Sequence, residues 1–195
     1  MIRNKNMKRA SLVSAVIATG AMVLSTLPAQ AATPGVTASE IKLGISSPLT
    51  GSAGLSYGKV PGAMKAYFSY INANGGVYGR KINLISRDDK YLPTLAATQT
   101  TNLVLKDNVF ALVGALGTAT RTTAYQAAAL AKNNVPDLFI NTGFSGFTDK
   151  TKYPTTFMVL PTYAMEAKVI AKAIKDNFPG QATFLVAQDD EFGSD

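Results

Sequence analysis

From Ile41 onward, short apolar runs alternate with longer runs of helical period, and this alternation restricts the fold more than any other feature of the sequence. Residues Ile41–Ser46, Lys81–Ser86, Val109–Val113, Leu138–Asn141, Phe157–Leu160 and Thr183–Ala187 read as strands. Between them, helices are predicted over Tyr57–Ala73, Pro93–Lys106, Thr120–Asn133 and Tyr163–Phe178, with a longer loop over Thr142–Pro154. On the first helix Ala63, Ala66, Tyr67, Tyr70 and Ile71 form the expected apolar face, and Asn74-Gly75-Gly76 ends it. On the second, Leu95, Gln99, Leu103 and Val104 share a side. Strands joined through helices need right-handed crossovers, so the expected class is α/β with a doubly wound, largely parallel sheet.

The first 31 residues carry an address. Arg3, Lys5, Lys8 and Arg9 precede a mildly apolar stretch from Ala10 to Leu27, and Ala29-Gln30-Ala31 supplies a small-residue cleavage site. That is a secretory signal, with cleavage expected after Ala31. Its polar residues and Gly20 argue against a membrane span. Cleavage removes four basic side chains and no acidic one, so the net charge falls from +7 to +3. No run of Lys or Arg with interleaved aromatics remains, and nucleic-acid binding is unsupported. The chain has no Cys and no His. Lipid attachment through cysteine, thiolate chemistry, Ser-His-Asp catalysis and imidazole metal sites are therefore absent from these residues.

In open parallel sheets, ligands bind beyond the C-terminal ends of the strands. The segments leaving those ends are Ser47–Gly51, Asp88-Asp89, Gly114–Thr120, Asn141–Phe144 and Gln188–Gly193. They are rich in Gly, Ser, Thr and Asn, while the strand interiors are not. Gly114–Thr120 joins a buried strand to a helix. Free N–H groups at that helix start, with the Thr118 and Thr120 hydroxyls, suit a carboxylate; an ordinary Thr-capped turn would look the same. Gly51–Lys59 lacks the spacing of a phosphate loop. The acidic residues Asp88-Asp89 and Asp189-Asp190-Glu191 fit no metal loop and are assigned to capping or solvent. Tyr57, Phe144 and Phe192 lie in crevice-facing loops; Tyr91 has no such placement. No cofactor, metal or catalytic group is expected.

The ordered set Ile45-Ser46-Ser47-Pro48-Leu49-Thr50-Gly51, Tyr57-Gly58, Ile71–Ile82, Asp88-Asp89 with Pro93, Gly114–Thr120, Val135-Pro136 and Asp190-Glu191-Phe192-Gly193 resembles the leucine/isoleucine/valine-binding type of periplasmic binding protein. The resemblance implies the two-lobed type I fold, closing on ligand like a hinged clamp, with the second lobe truncated here. The expected division is residues 1–31 as signal peptide, 32–161 as the first ligand-binding lobe and 162–195 as the start of an incomplete second lobe. It further implies that Thr118 holds a ligand carboxylate, that Thr142, Gly143 and Phe144 add contacts, and that Tyr57 and Phe192 are aromatics of the two walls. Gly117, Ala119, Thr120 and Tyr163 complete the candidate ligand-binding set. Phe192 stands where amino-acid binders often carry Tyr, and Ala164 where an acidic residue is often found, which weakens the case for α-ammonium recognition.

The function implied is a non-enzymatic receptor of an ABC importer. It is expected to be periplasmic or secreted, unanchored and monomeric. Its partners would be a small carboxylate or amide ligand (a branched-chain amino acid or an aromatic acid) and the importer's membrane permease subunits. A ligand-sensing module of a signalling receptor is the alternative. An exported hydrolase would need a nucleophile and base that these residues do not supply.

Overall fold

The computed structural model describes residues 33–195; the expected signal peptide and its cleavage site lie outside the described residues. Five strands form one parallel sheet in the order β2-β1-β3-β4-β5. They are β1 (Glu40–Ser47), β2 (Lys81–Asp88), β3 (Ala111–Val113), β4 (Asp137–Ile140) and β5 (Thr156–Met158). The register of β1 on β2 runs unbroken from Glu40 opposite Lys81 to Ser47 opposite Asp88. Both strands therefore end at one level, and the loops that follow them start side by side. The chain starts in the sheet's interior, moves to one edge and then crosses to the other side, which makes a doubly wound α/β sheet with its reversal beside β1.

Five helices connect or follow the strands: α1 (Gly54–Tyr57), α2 (Val60–Ala73), α3 (Pro93–Leu105), α4 (Thr118–Ala127) and α5 (Tyr163–Asn177). The single helix predicted over Tyr57–Ala73 is split. A Cβ at Gly58 would lie 2.5 Å from the Gly54 carbonyl oxygen and 2.8 Å from that of Leu49, so the chain passes close to its own backbone here and α2 restarts with Pro61 in its first turn. This restart sets the buried face. Pro61, Met64 and Phe68 point to the sheet, the last two packing on Ile45, Leu84 and Val113. Ala63, Ala66, Tyr67 and Tyr70 of the predicted face are exposed instead. On α3 the buried side is Ala96, Thr100, Leu103 and Val104. Small residues replace the expected Leu95 and Gln99 because α3 packs directly on α4, where Thr100 bonds Arg121 at 3.3 Å.

Helix α4 starts two residues earlier than predicted and ends six earlier. Ala129 and Asn134 adopt left-handed φ values of 48° and 51°, which no continuing helix tolerates. The larger core lies on the α3–α4 side, around Leu103, Leu112, Tyr125, Leu130 and Ile140. The segment predicted as a loop supplies two of its members: Phe147, in a short 3-10 turn, and Tyr153. Their rings meet edge-on at 4.8 Å, and Tyr153 meets Tyr125 at 4.9 Å.

The strand predicted over Thr183–Ala187 does not form. Phe184, Leu185 and Val186 are 89, 91 and 95% exposed. Their apolar run fits a buried strand, but a strand needs a hydrogen-bonded neighbour, and no strand of the described sheet is paired with it.

Candidate functional site

The C-terminal ends of β1–β4 carry the polar loops, and hydrogen bonds stitch those loops together. Asp88 accepts from the backbone N–H groups of Leu49 (2.9 Å), Thr50 (3.3 Å) and Lys90 (3.0 Å) and from the Thr50 hydroxyl (2.6 Å). Desolvation alone would raise this carboxyl; the four donors together outweigh it and hold it below the usual carboxylate range. Asp89 is buried, accepting from the Ser46 hydroxyl at 2.9 Å and the Tyr91 N–H at 3.0 Å. Burial pushes its carboxyl up, opposed by those two bonds and by the Arg121 charge. Neither acid caps a helix as expected: Asp88 ties two loops together, and Asp89 is buried.

The Gly114–Gly117 turn runs beside Asn141. The Gly117 N–H donates to the Asn141 carbonyl at 3.2 Å, and the Asn141 N–H donates to Ala115 at 2.7 Å. Gly117 has φ of 102°, and a Cβ there would meet Thr120 Oγ1 at 2.6 Å and the Tyr91 ring at 2.7 Å. Only glycine fits. Thr118 follows as the first residue of α4. Its hydroxyl lies 2.7 Å from that of Thr142, which takes a second bond from the Phe144 N–H (3.2 Å) and donates to the Tyr163 hydroxyl (3.3 Å). With both lone pairs of Thr142 filled, the protons run from Thr118 to Thr142 to Tyr163, and the Tyr163 proton is left for an outside acceptor.

The candidate residues thus separate by role. Thr118, Thr142, Gly143 and Tyr163 come together: the Tyr163 N–H donates to the Gly143 carbonyl at 2.7 Å, and a Cβ on Gly143 would strike the Tyr163 ring at 2.8 Å. Phe192 meets Tyr163 edge-on at 5.2 Å. Tyr57 reaches in from α1, donating to the Gly114 carbonyl at 2.8 Å; burial raises its phenol, against a bond from the Asn141 side chain. Ala119, half-buried, sits at the α4 start. The two remaining candidates also make contacts away from this cluster. The Thr120 hydroxyl is turned inward to the Leu116 carbonyl at 2.6 Å and so fastens the turn. The Phe144 ring packs edge-on against Phe147 at 5.3 Å on the main core and stays half-buried.

Two further residues had no assigned role, one against the Gly117 turn and one in the core behind it. Tyr91 follows the Asp88-Asp89 strand end by two residues and lies against Gly117. Arg121, the only charged residue of α4, is 1% exposed and pairs with equally buried Asp137 at 2.7 Å. A lone charge in an otherwise neutral Ala/Thr helix was the signal for it.

A parallel sheet wound in both directions, with a Gly- and Thr-rich crevice past its strand ends, defines the binding-lobe architecture of type I periplasmic binding proteins. The chain belongs to the periplasmic binding protein family, whose family model matches residues 40–195. A search of curated proteins gave no match. Among solved structures, the chain is similar to a substrate-binding periplasmic protein from Ralstonia solanacearum, at 28% identity and TM-score 0.64 over 70% of this chain and 38% of that one. It is similar to a possible leucine/isoleucine/valine-binding protein from Rhodopirellula baltica, at 25% identity and TM-score 0.69 over 85% and 43%. It is also similar to a fatty acid ABC transporter substrate-binding protein from Thermomonospora curvata, at 25% identity and TM-score 0.65 over 73% and 35%. The chain spans less than half the length of each of these structures.

Proposed function

We propose that this chain forms one wall of an extracytoplasmic solute receptor that delivers a small carboxylate to the permease subunits of an ABC importer. One observation carries the reading: the hydroxyl chain Thr118–Thr142–Tyr163 ends in a free proton beside the start of α4. The first N–H groups of a helix have no intrahelical acceptor and carry a partial positive charge, so they and the Tyr163 proton converge on an anion. The carboxylate sits at the N–H groups of Thr118 and Ala119. Thr118 and Thr142 orient Tyr163, while Tyr57 and Phe192 face the apolar part of the ligand. Branched-chain amino acids and fatty acids, the ligands named for two of the similar structures, share a carboxylate and an apolar tail. In this reading a leader cleaved after Ala31 exports the protein.

A thermal-shift panel on the full-length protein with L-leucine, L-phenylalanine, benzoate and decanoate tests this. A ligand at 100 times its Kd adds about 2.7 kcal/mol. At least one carboxylate should raise the melting temperature, and its amide or alcohol counterpart should raise it less. No shift with any carboxylate refutes the proposal. Tyr163→Phe should weaken the bound carboxylate by about tenfold, the cost of one hydrogen bond to a charged group; Thr118→Ala, which keeps the backbone N–H and removes only the hydroxyl that orients Tyr163, should weaken it less.

A further inference from the structure

We propose that Tyr91 is a specificity-determining residue of this crevice, its ring set against the bare Cα of Gly117 so that it limits the bulk of a ligand held at the start of α4. The inference rests on the capture reading above. A Cβ at Gly117 would fall 2.7 Å from Tyr91 Cε2 and 3.3 Å from Cζ, so the ring occupies the space a side chain would take at the helix start.

The backbone shows that this position is imposed. Lys90 and Tyr91 both hold left-handed conformations, with φ of 55° and 63°. Consecutive non-glycine residues rarely stay there unless their surroundings hold them, and such strain gathers at binding sites. Here the holders are visible. The Tyr91 N–H is fixed by Asp89, which Ser46 fixes in turn, and the Lys90 N–H is fixed by Asp88. Gly51 lets the neighbouring loop approach: a Cβ there would lie 2.9 Å from the Lys90 carbonyl oxygen.

Core packing does not account for the placement. Tyr91 is only half-buried and belongs to neither apolar cluster. Burial raises its phenol, and the nearby Asp190, Tyr163 and Asp89 raise it further. The ring thus stands against the Gly117 turn at the strand ends. A strained aromatic of this kind selects by shape: shortening it lengthens the slot.

Calorimetric titration of the full-length protein with L-leucine, L-phenylalanine, benzoate and decanoate decides the matter. Tyr91→Ala should change the ratio of Kd values between the bulkiest and the smallest ligand bound by about tenfold or more in favour of the bulkier, since one methylene in such a pocket already counts that much. Tyr91→Phe, which keeps the ring, should leave the ratio within about threefold. Gly117→Ala should weaken every ligand, and adding Tyr91→Ala should recover part of that loss. If Tyr91→Ala unfolds, Tyr91→Leu replaces it with the same expected direction. Unchanged ratios in a folded variant that still binds overturn the role of Tyr91 and leave the capture reading intact. A wild type that binds none of the four overturns both.

Discussion

Helices α4 and α5 are both periodic in sequence, yet their surroundings differ completely. α4 buries six of its ten residues; α5 buries none of its fifteen. The ion pairs on them sharpen the contrast. Arg121–Asp137 is 2.7 Å long with both side chains 1% exposed, while Lys172–Asp176 is 2.6 Å long at 77 and 50% exposure. Nearly equal distances therefore conceal opposite energetics. Inside, each charge has lost its water and depends on its partner; outside, water competes with the bond. Residues up to Met158 build the sheet and its two buried clusters, whereas α5 is amphipathic in sequence and buries no residue.

The largest effect should come from breaking the inner pair. Arg121→Ala strands Asp137 in the core and should cost about 3–5 kcal/mol, read from urea unfolding of this chain. Thr100 also loses a partner. The double variant Arg121→Met with Asp137→Leu should be far milder, because apolar residues of similar volume often replace a buried pair at little cost. If Arg121→Ala alone costs under about 1 kcal/mol, the pair is exposed to water and the contrast with α5 fails.

Phe147→Ala should follow closely, at about 3–5 kcal/mol, because it empties the centre of the Phe144–Phe147–Tyr153 aromatic stack. Phe184→Ala, the same change at a ring 89% exposed, should stay within about 0.5 kcal/mol. The pair of variants also shows what the sequence could convey. Alternation placed β1–β5 to within a few residues, and Gly and Thr at strand ends marked the crevice. Phe147 was read as loop because its neighbours Gly143, Ser145 and Gly146 break any period, so nothing local marks its burial. Phe184 was read as strand because local pattern reports preference, while pairing depends on a neighbour distant in sequence. Tyr91 was missed for a related reason: its contact with Gly117 joins two loops that only the sheet order brings together.

A smaller, signed effect separates the adjacent acids Asp88 and Asp89. The carboxyl of Asp88 lies below its usual range, so its share of stability is present above the unfolded pKa and is lost as pH falls through the folded value. Asp89 lies above its usual range, so its neutral form is favoured by folding; its share is present at low pH and lost as pH rises through the raised value. Asp88→Asn should therefore flatten the acid limb of the stability–pH curve, and Asp89→Asn should flatten the limb on its higher-pH side. Both would be measured by urea unfolding across the carboxylate range. The same sign of change in both variants would show that the Ser46 and Tyr91 bonds outweigh the burial of Asp89, and no change at Asp89→Asn would show that it is solvated.

Lys172→Ala should have the smallest effect, within about 0.5 kcal/mol in this chain and smaller still at high salt. The pair spans i to i+4 on a solvated face, and alanine restores helix propensity as it removes the charge. A cost near that of Arg121→Ala would mean that α5 is covered and its charge desolvated. The contrast between the two helices would then lie in what covers each of them. A null result at Lys172 beside a large one at Arg121 would assign the cost to burial, since the two bonds differ by only 0.1 Å.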